Sequence, residues 1–194
     1  MRSRLKLNSF LILLFFFIFA MIMPLIMNAK TPNSSQLIKV PYSEKVFIDD
    51  VAKEVKPYAK AYGVRPSIII GQILIDSQGG QSILSAKYHN LFSMLAKPGD
   101  NYVILETTKP VLNNPTTTKL KFATYPSWKK SIADYFASLS QGQVWDQQLY
   151  RELATFEGYK LPAQSLEKYI YSYDNNYAAK LIKVIEEKDL TKYD

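Results

Sequence analysis

Among 194 residues there is no cysteine and only one histidine, His89. The first absence excludes disulfides, thiolate catalysis and cysteine-based metal sites. The second excludes a histidine-rich metal site, and no serine elbow stands beside His89 for it to serve as a base. No metal and no other cofactor is expected. Glycine is scarce as well, with seven residues in all. The two adjacent ones in LIDSQGGQSIL (74–84) therefore stand out: an apolar run stops at Asp76, and the backbone is then free to bend. Asp beside glycines at a helix end is ordinarily a turn or capping residue. The alternative is an active-site acid, and the rest of the chain has to decide.

Charge is missing from Ser9 to Met27, 19 residues of almost wholly apolar character. At about 1.5 Å per residue this run matches the hydrocarbon core of a bilayer. It competes between a cleaved signal peptide and a retained anchor. The run is longer than a signal core of roughly 7–15 residues, and Met27 occupies a position that a signal peptidase wants small. Both features favour an anchor over residues 1–30. Arg2, Arg4 and Lys6 precede it without an acid, which keeps the N-terminus cytoplasmic and puts the remainder outside a single-pass cell membrane. Pro24 falls in the last turns, where it is tolerated. Beyond residue 30, 20 basic residues face 17 acidic ones, a net charge of +3. That mild excess suits an anionic wall, and no basic stripe points to nucleic acid.

Residues 31–43 are polar and aperiodic and read as a linker, which would span about 20 Å if flexible. From Glu44 the pattern turns helical, with Phe47, Val51, Val55, Tyr58 and Tyr62 at three- and four-residue spacing. Pro57 is expected to kink or divide this helix, and Gly63 to end it. Pro66 opens a second helix whose Ile68, Ile69, Ile70, Ile73, Leu74 and Ile75 leave no polar face, as in a buried central helix. Gly71 within it marks close packing against a neighbour. Residues 101–125, rich in Val and Thr around an Asn-Asn-Pro, read as a β-hairpin. Helices follow at SWKKSIADYFASLS, with Ser127 as N-cap, at LYRELATFEGY, at LEKYIYSY, and at NNYAAKLIKVIEEKDL with Asp174 as N-cap. The expected architecture is mainly α with a small β-hairpin flap, over residues 44–194.

Three ordered segments carry a resemblance. FIDDVAKEVKPYAKAYGVRPSIIIGQILIDSQGGQSILSAKYHNLF, FATYPSWKKSIADYF and YSYDNNYAAKLIKVIEEKDLTKYD resemble the glucosaminidase domain of glycoside hydrolase family 73, the bacterial cell-wall autolysins. The family run Ala-Gln-(small)-Ile-Leu-Glu-Ser-x-Trp-Gly-x-Ser aligns without gaps. The resemblance implies a lysozyme-like fold, peptidoglycan as ligand, and endo-β-N-acetylglucosaminidase activity. It places Asp76 where the catalytic Glu stands, and Tyr171 on a tyrosine that lines the cleft. This copy departs from the pattern where the chemistry lies: Asp is one methylene shorter than Glu, Gly79 replaces Trp, and Ser93 replaces Gly. Lys109 occupies the position of a second carboxylate. Glu106, three residues earlier on a strand, points to the opposite face. A Lys109 close to Asp76 would lower its pKa, which is wrong for an acid that must stay protonated.

Asn90 is a candidate for bonding sugar or backbone. Phe92 and Trp128 suit the core, and His89 suits a structural role. Trp145 is a candidate for stacking on a sugar ring. Two functions follow: a weak, membrane-anchored glycosidase with Asp76 as general acid, or a non-catalytic module that binds the glycan strand or regulates a membrane-protein partner.

Overall fold

The computed structural model describes residues 7–27, 31–111, 114–142, 144–155 and 157–194, with side chains excepted at 25–27, 109–111 and 114–115. The chain divides into two compact units, Met1–Thr31 and Pro32–Asp194. In the first, helix α1 (Leu7–Met27) carries Pro24 near its end and no charge. Over Leu7–Pro24 it is long and apolar enough to cross a membrane, and none of that stretch is buried.

The second unit is mainly α with a two-stranded sheet, as the periodicity predicts. Helix α2 (Glu44–Tyr62) starts on Ser43, whose hydroxyl accepts the Val46 amide, and stops on Gly63 in the left-handed region. Of the predicted stripe it buries Phe47, Val51 and Val55, with Tyr58 and Tyr62 partly buried against the core, and Ala59 is buried as well. Of the two outcomes expected at Pro57, division does not occur: the helix is continuous from Glu44 to Tyr62.

Helix α3 (Pro66–Asp76) is buried from Ser67 through Leu74, and each fully buried isoleucine contributes about 1.5–3 kcal/mol of apolar transfer. Arg65 offers no side-chain cap. Asp194 supplies one instead: its carboxylate accepts the Ser67 amide at 2.8 Å and the Ser67 hydroxyl at 3.0 Å.

Helix α4 (Ile83–Tyr88) leads to the flap, β1 (Tyr102–Val111) antiparallel to β2 (Asn114–Ala123), with Glu106 opposite Lys119 and Thr107 opposite Thr118. Helices α5 (Trp128–Gln141), α6 (Gln147–Thr155), α7 (Lys160–Tyr169) and α8 (Tyr177–Glu187) complete the body, and a 3-10 turn, Leu190–Tyr193, closes it. Ser127 caps α5 as expected. Asp174 does not cap α8. The cap position is Asn176, and Asp174 instead accepts the Asn176 amide at 3.2 Å and the Lys180 ammonium at 2.6 Å. The aspartate thus closes the preceding turn, a competing use of short polar side chains.

The stretch expected as a linker also behaves differently. Residues 32–38 are hydrogen-bonded along β1 and along the start of α4, and the Tyr42 hydroxyl donates to the Gly80 carbonyl at 2.7 Å.

Gly71 sits where α3 meets α8. A Cβ there would lie 2.7 Å from Leu181 Cδ1 and 3.1 Å from Ile185 Cγ1, and both leucine and isoleucine are fully buried. Gly71→Val is expected to destabilise the domain by about 1–3 kcal/mol through overpacking, measured as a lower urea midpoint at unchanged slope.

Candidate active site

Asp76 is the last residue of α3 and so rides on the most buried helix of the domain. The turn after it is stapled by Ser77, whose hydroxyl donates to the Ile73 carbonyl at 2.6 Å and accepts the Gly80 amide at 2.9 Å. Gln78, Gly79 and Gly80 all adopt positive φ. Gly80 has a second reason to lack a side chain, since a Cβ would lie 2.6 Å from the Phe47 ring. Position 79, where the resembling family has Trp, is roomier; a Cβ there meets only Glu44 Cγ, at 3.8 Å.

A chain of buried polar groups ends on Asp76. The Tyr135 hydroxyl donates to Gln72 Oε1 at 2.7 Å, and Gln72 Nε2 donates to the Tyr171 hydroxyl at 2.9 Å. Tyr171 in turn donates to Asp76 Oδ2. Gln72 stands four residues before Asp76, one turn back on the same face of α3. The Tyr171 ring is stacked on Tyr177, centroids 3.6 Å apart and planes within 4°. Burial raises the Asp76 carboxyl to a pKa of about 7, against the opposing pull of its hydrogen bonds to Tyr171 and Gln72. Burial and the nearby Asp76 charge push the Tyr171 hydroxyl well above its ordinary value, which keeps it a donor. No cation among the described residues contributes to the Asp76 shift.

Asp76 opens into a cleft of about 600 Å³. One wall is the flap, through Thr107, Thr108, Leu120 and Phe122; the opposite wall is Trp145, Ile170, Tyr171 and Tyr173. Among the described residues lining it, Asp76 is the one carboxylate. Lys97 also lines it, and is held by Asp134 at 3.0 Å and Ser138 at 2.8 Å. A second groove of about 600 Å³ lies around Lys56, Arg65 and Leu153 and contains none of these groups.

The structure brings Asp76 and Tyr171 together and leaves Asn90 apart. Asn90 is 1% exposed, and its amide donates to the carbonyls of Met94 and Ala123 and accepts the Met94 amide. Of the two partners open to it, sugar or backbone, the structure shows backbone, which corrects its candidacy as a sugar contact: both N–H donors are spent on holding the loop that carries Phe92 and Met94 into the cleft. Ser93 in that loop has φ +53°, which accounts for the family's preference for glycine there. Lys109 pairs with Thr116 in the ladder, and its side chain lies outside the described residues. Glu106 is not among the residues that line the cleft, and Lys119 Nζ lies 4.0 Å from its carboxylate. His89 binds the Tyr125 carbonyl through Nδ1 at 2.9 Å, a structural role. Trp128 packs half-buried against the core, its indole N–H donating to the Ser85 carbonyl at 3.1 Å.

Sequence reasoning missed Tyr135, Tyr173 and Ser34, and noted Gln72 only as part of the matching run. The signal for Gln72 was present: a polar side chain inside an otherwise apolar helix, one turn before the acid. No comparable signal marks Tyr135, which reads as one more aromatic on the face of α5. Among the described residues no group of three acids or histidines is placed to hold a metal.

Comparison with known proteins agrees with this geometry. The exo-glucosaminidase LytG of Bacillus subtilis is 29% identical over 199 residues, covering all of this chain and 70% of that protein. A probable N-acetylmuramidase of Lactococcus lactis subsp. cremoris is 29% identical over 158 residues, 78% of this chain but 35% of that protein. The catalytic domain of the autolysin Auto from Listeria monocytogenes superposes with a TM-score of 0.70 at 26% identity over the whole of both chains. An N-acetylmuramoyl-L-alanine amidase structure from Staphylococcus aureus gives 0.73 at 26% identity, over 86% of this chain and 51% of that one. These neighbours bear out the lysozyme-like glucosaminidase fold. The family model for glucosaminidase, described as mannosyl-glycoprotein endo-beta-N-acetylglucosaminidase, matches residues 52–190, and the chain belongs to that glycoside hydrolase family.

Proposed function

We propose that the domain hydrolyses the glycan strand of peptidoglycan within the chain, with Asp76 as general acid, while α1 holds it at the outer face of a bacterial membrane. One observation carries the reading: the cleft's carboxyl is desolvated, fixed by Tyr171, and raised to about 7. A glycosidase needs an acid that is protonated at working pH and gives its proton to the departing glycosidic oxygen. A cation beside Asp76 would defeat this, and among the described residues none lowers its pKa. The aspartate's shorter reach limits the rate, since about 1 Å of misplacement costs ~10²-fold.

The described lining holds no second carboxylate. In this reading the 2-acetamido oxygen of the N-acetylglucosamine unit attacks the anomeric carbon as the bond to the leaving oxygen breaks, and water then opens the cyclic intermediate. The aspartate left behind, now anionic and still bonded to Tyr171, takes the proton back from that water. With residues 32–38 docked, only residues 28–31 separate α1 from the domain, which confines the substrate to membrane-proximal strands if α1 is retained.

Asp76→Ala is expected to lower muropeptide release from purified peptidoglycan by 10²-fold or more. Release equal to wild type would remove the catalytic assignment. Glycan retention without release in the wild type would favour a binding module. Internal cleavage predicts that strand length falls before small products appear.

The raised carboxyl also fixes two pH dependences. Activity should fall as pH rises through about 7, because the acid form is lost. Tyr171→Phe deletes a hydrogen bond that holds the pKa down, so the falling limb of kcat/KM should move to higher pH as the rate drops. For stability, the folded state binds a proton that the unfolded state, with its ordinary value of 3.8, has released between about pH 4 and 7. Stability is therefore lost as pH rises through that window, at about 1.4 kcal/mol per unit. Asp76→Asn removes this loss. Its Tm should exceed that of wild type at pH 8 and differ little at pH 4; parallel curves would disprove the buried titration.

A further inference from the structure

The family match begins at residue 52, yet residues 32–38 are hydrogen-bonded both to the flap and to the turn that follows Asp76. On the flap side, the Glu106 amide donates to the Pro32 carbonyl at 2.9 Å and the Ser34 amide donates to the Glu106 carbonyl at 2.7 Å. On the acid's side, the Ile38 amide donates to the Gln81 carbonyl at 2.9 Å, and the Ile83 amide to the Gln36 carbonyl at 2.8 Å. Gln81–Ile83 belong to the turn that follows Asp76, since the Ser82 amide closes it on the Ser77 carbonyl at 3.0 Å. A turn at Asn33, whose carboxamide oxygen accepts the Ser35 amide at 3.0 Å, lets the segment pass from β1 to that turn.

The flap needs such a support. A two-stranded hairpin alone is marginal in water. This one rests on a small apolar cluster of Ile83, Leu84, Leu105 and Phe122, against which Ile38 packs, and that cluster is separate from the main helical core. The segment also places a side chain in the cleft. Ser34, 8% exposed, lines it together with Asp76, Thr107 and Thr108, and among the described residues its hydroxyl makes no hydrogen bond.

We infer that residues 32–38 are a positioning element of the active site, which sets the distance between the flap and Asp76, and that Ser34 is a glycan-contacting residue. The inference rests on the cleft proposed above as the glycan site. Positioning predicts an effect on kcat, because a flap displaced by about 1 Å changes the rate by as much as ~10²-fold. Direct contact predicts an effect on KM.

The test uses the full-length protein in detergent with purified peptidoglycan. Ser34→Pro removes the amide that bonds Glu106; kcat should fall about 10- to 100-fold, and amide exchange in β1 should quicken while α3 and α5 keep their protection. Ser34→Ala keeps the amide and removes the hydroxyl; KM should rise several-fold at near-constant kcat. Val46→Ala, at a residue 48% exposed on α2 and away from the cleft, should change neither. Unchanged kcat and unchanged β1 exchange in Ser34→Pro would overturn the positioning role, as would loss of protection spread evenly over the domain. Unchanged KM in Ser34→Ala would overturn the contact. If wild type releases no muropeptides, the hydrolase reading fails by itself. The exchange pattern and the retention of Ser34→Ala on insoluble peptidoglycan then decide this inference.

Discussion

The structure depends on holding one largely desolvated carboxyl at the mouth of a cleft, at the end of its most apolar helix. A desolvated acid is costly in its charged form, and Asp76 answers that cost by holding its proton to about pH 7. The surroundings are built to make that state definite. Gln72 turns its oxygen toward the Tyr135 hydroxyl and its N–H toward the Tyr171 oxygen, which leaves the Tyr171 proton for Asp76. A fully connected buried network specifies one arrangement, whereas a partly connected one is a liability.

The helix that carries the acid is fixed at both ends and in the middle. Asp194 caps its start, Gly71 admits α8 against its centre, and Ser77 staples the turn at its end. None of these groups touches the cleft. They matter to it because a general acid works within a few tenths of an ångström of its target, and a helix pinned at three points transmits little play to its last residue.

Much of this was legible in the sequence. Apolar residues on every face of α3, the lone Gly71, the Val- and Thr-rich hairpin and the Ser127 cap each rest on local rules, and each is present in the fold. What was illegible depended on tertiary partners. Asp174 and Asn176 are both good caps; in the fold Asp174 is spent on the Asn176 amide and the Lys180 ammonium, and the helix starts after Asn176. Pro57 does not divide α2, whose apolar stripe packs along its length. Asn90 could have bonded sugar or backbone, and its amide is consumed by a loop whose carbonyls the sequence does not reveal. Residues 32–38 carry no period because they borrow their hydrogen bonds from β1 and from the turn after Asp76.

Apart from Asp76 itself, which stands for Glu, the departures from the family pattern lie outside the network that holds the acid. Gln72, Tyr171, Ser77 and Gly80, which set the protonation and direction of the acid, are all in place, and their geometry holds. Gly79, Ser93 and Lys109 lie on the turn, the loop and the flap. A desolvated carboxyl is costly in its charged form, and an ordinary amide could fill the same space without that cost. That cost is the physical argument for the proton-transfer role proposed for Asp76 over glycan binding alone.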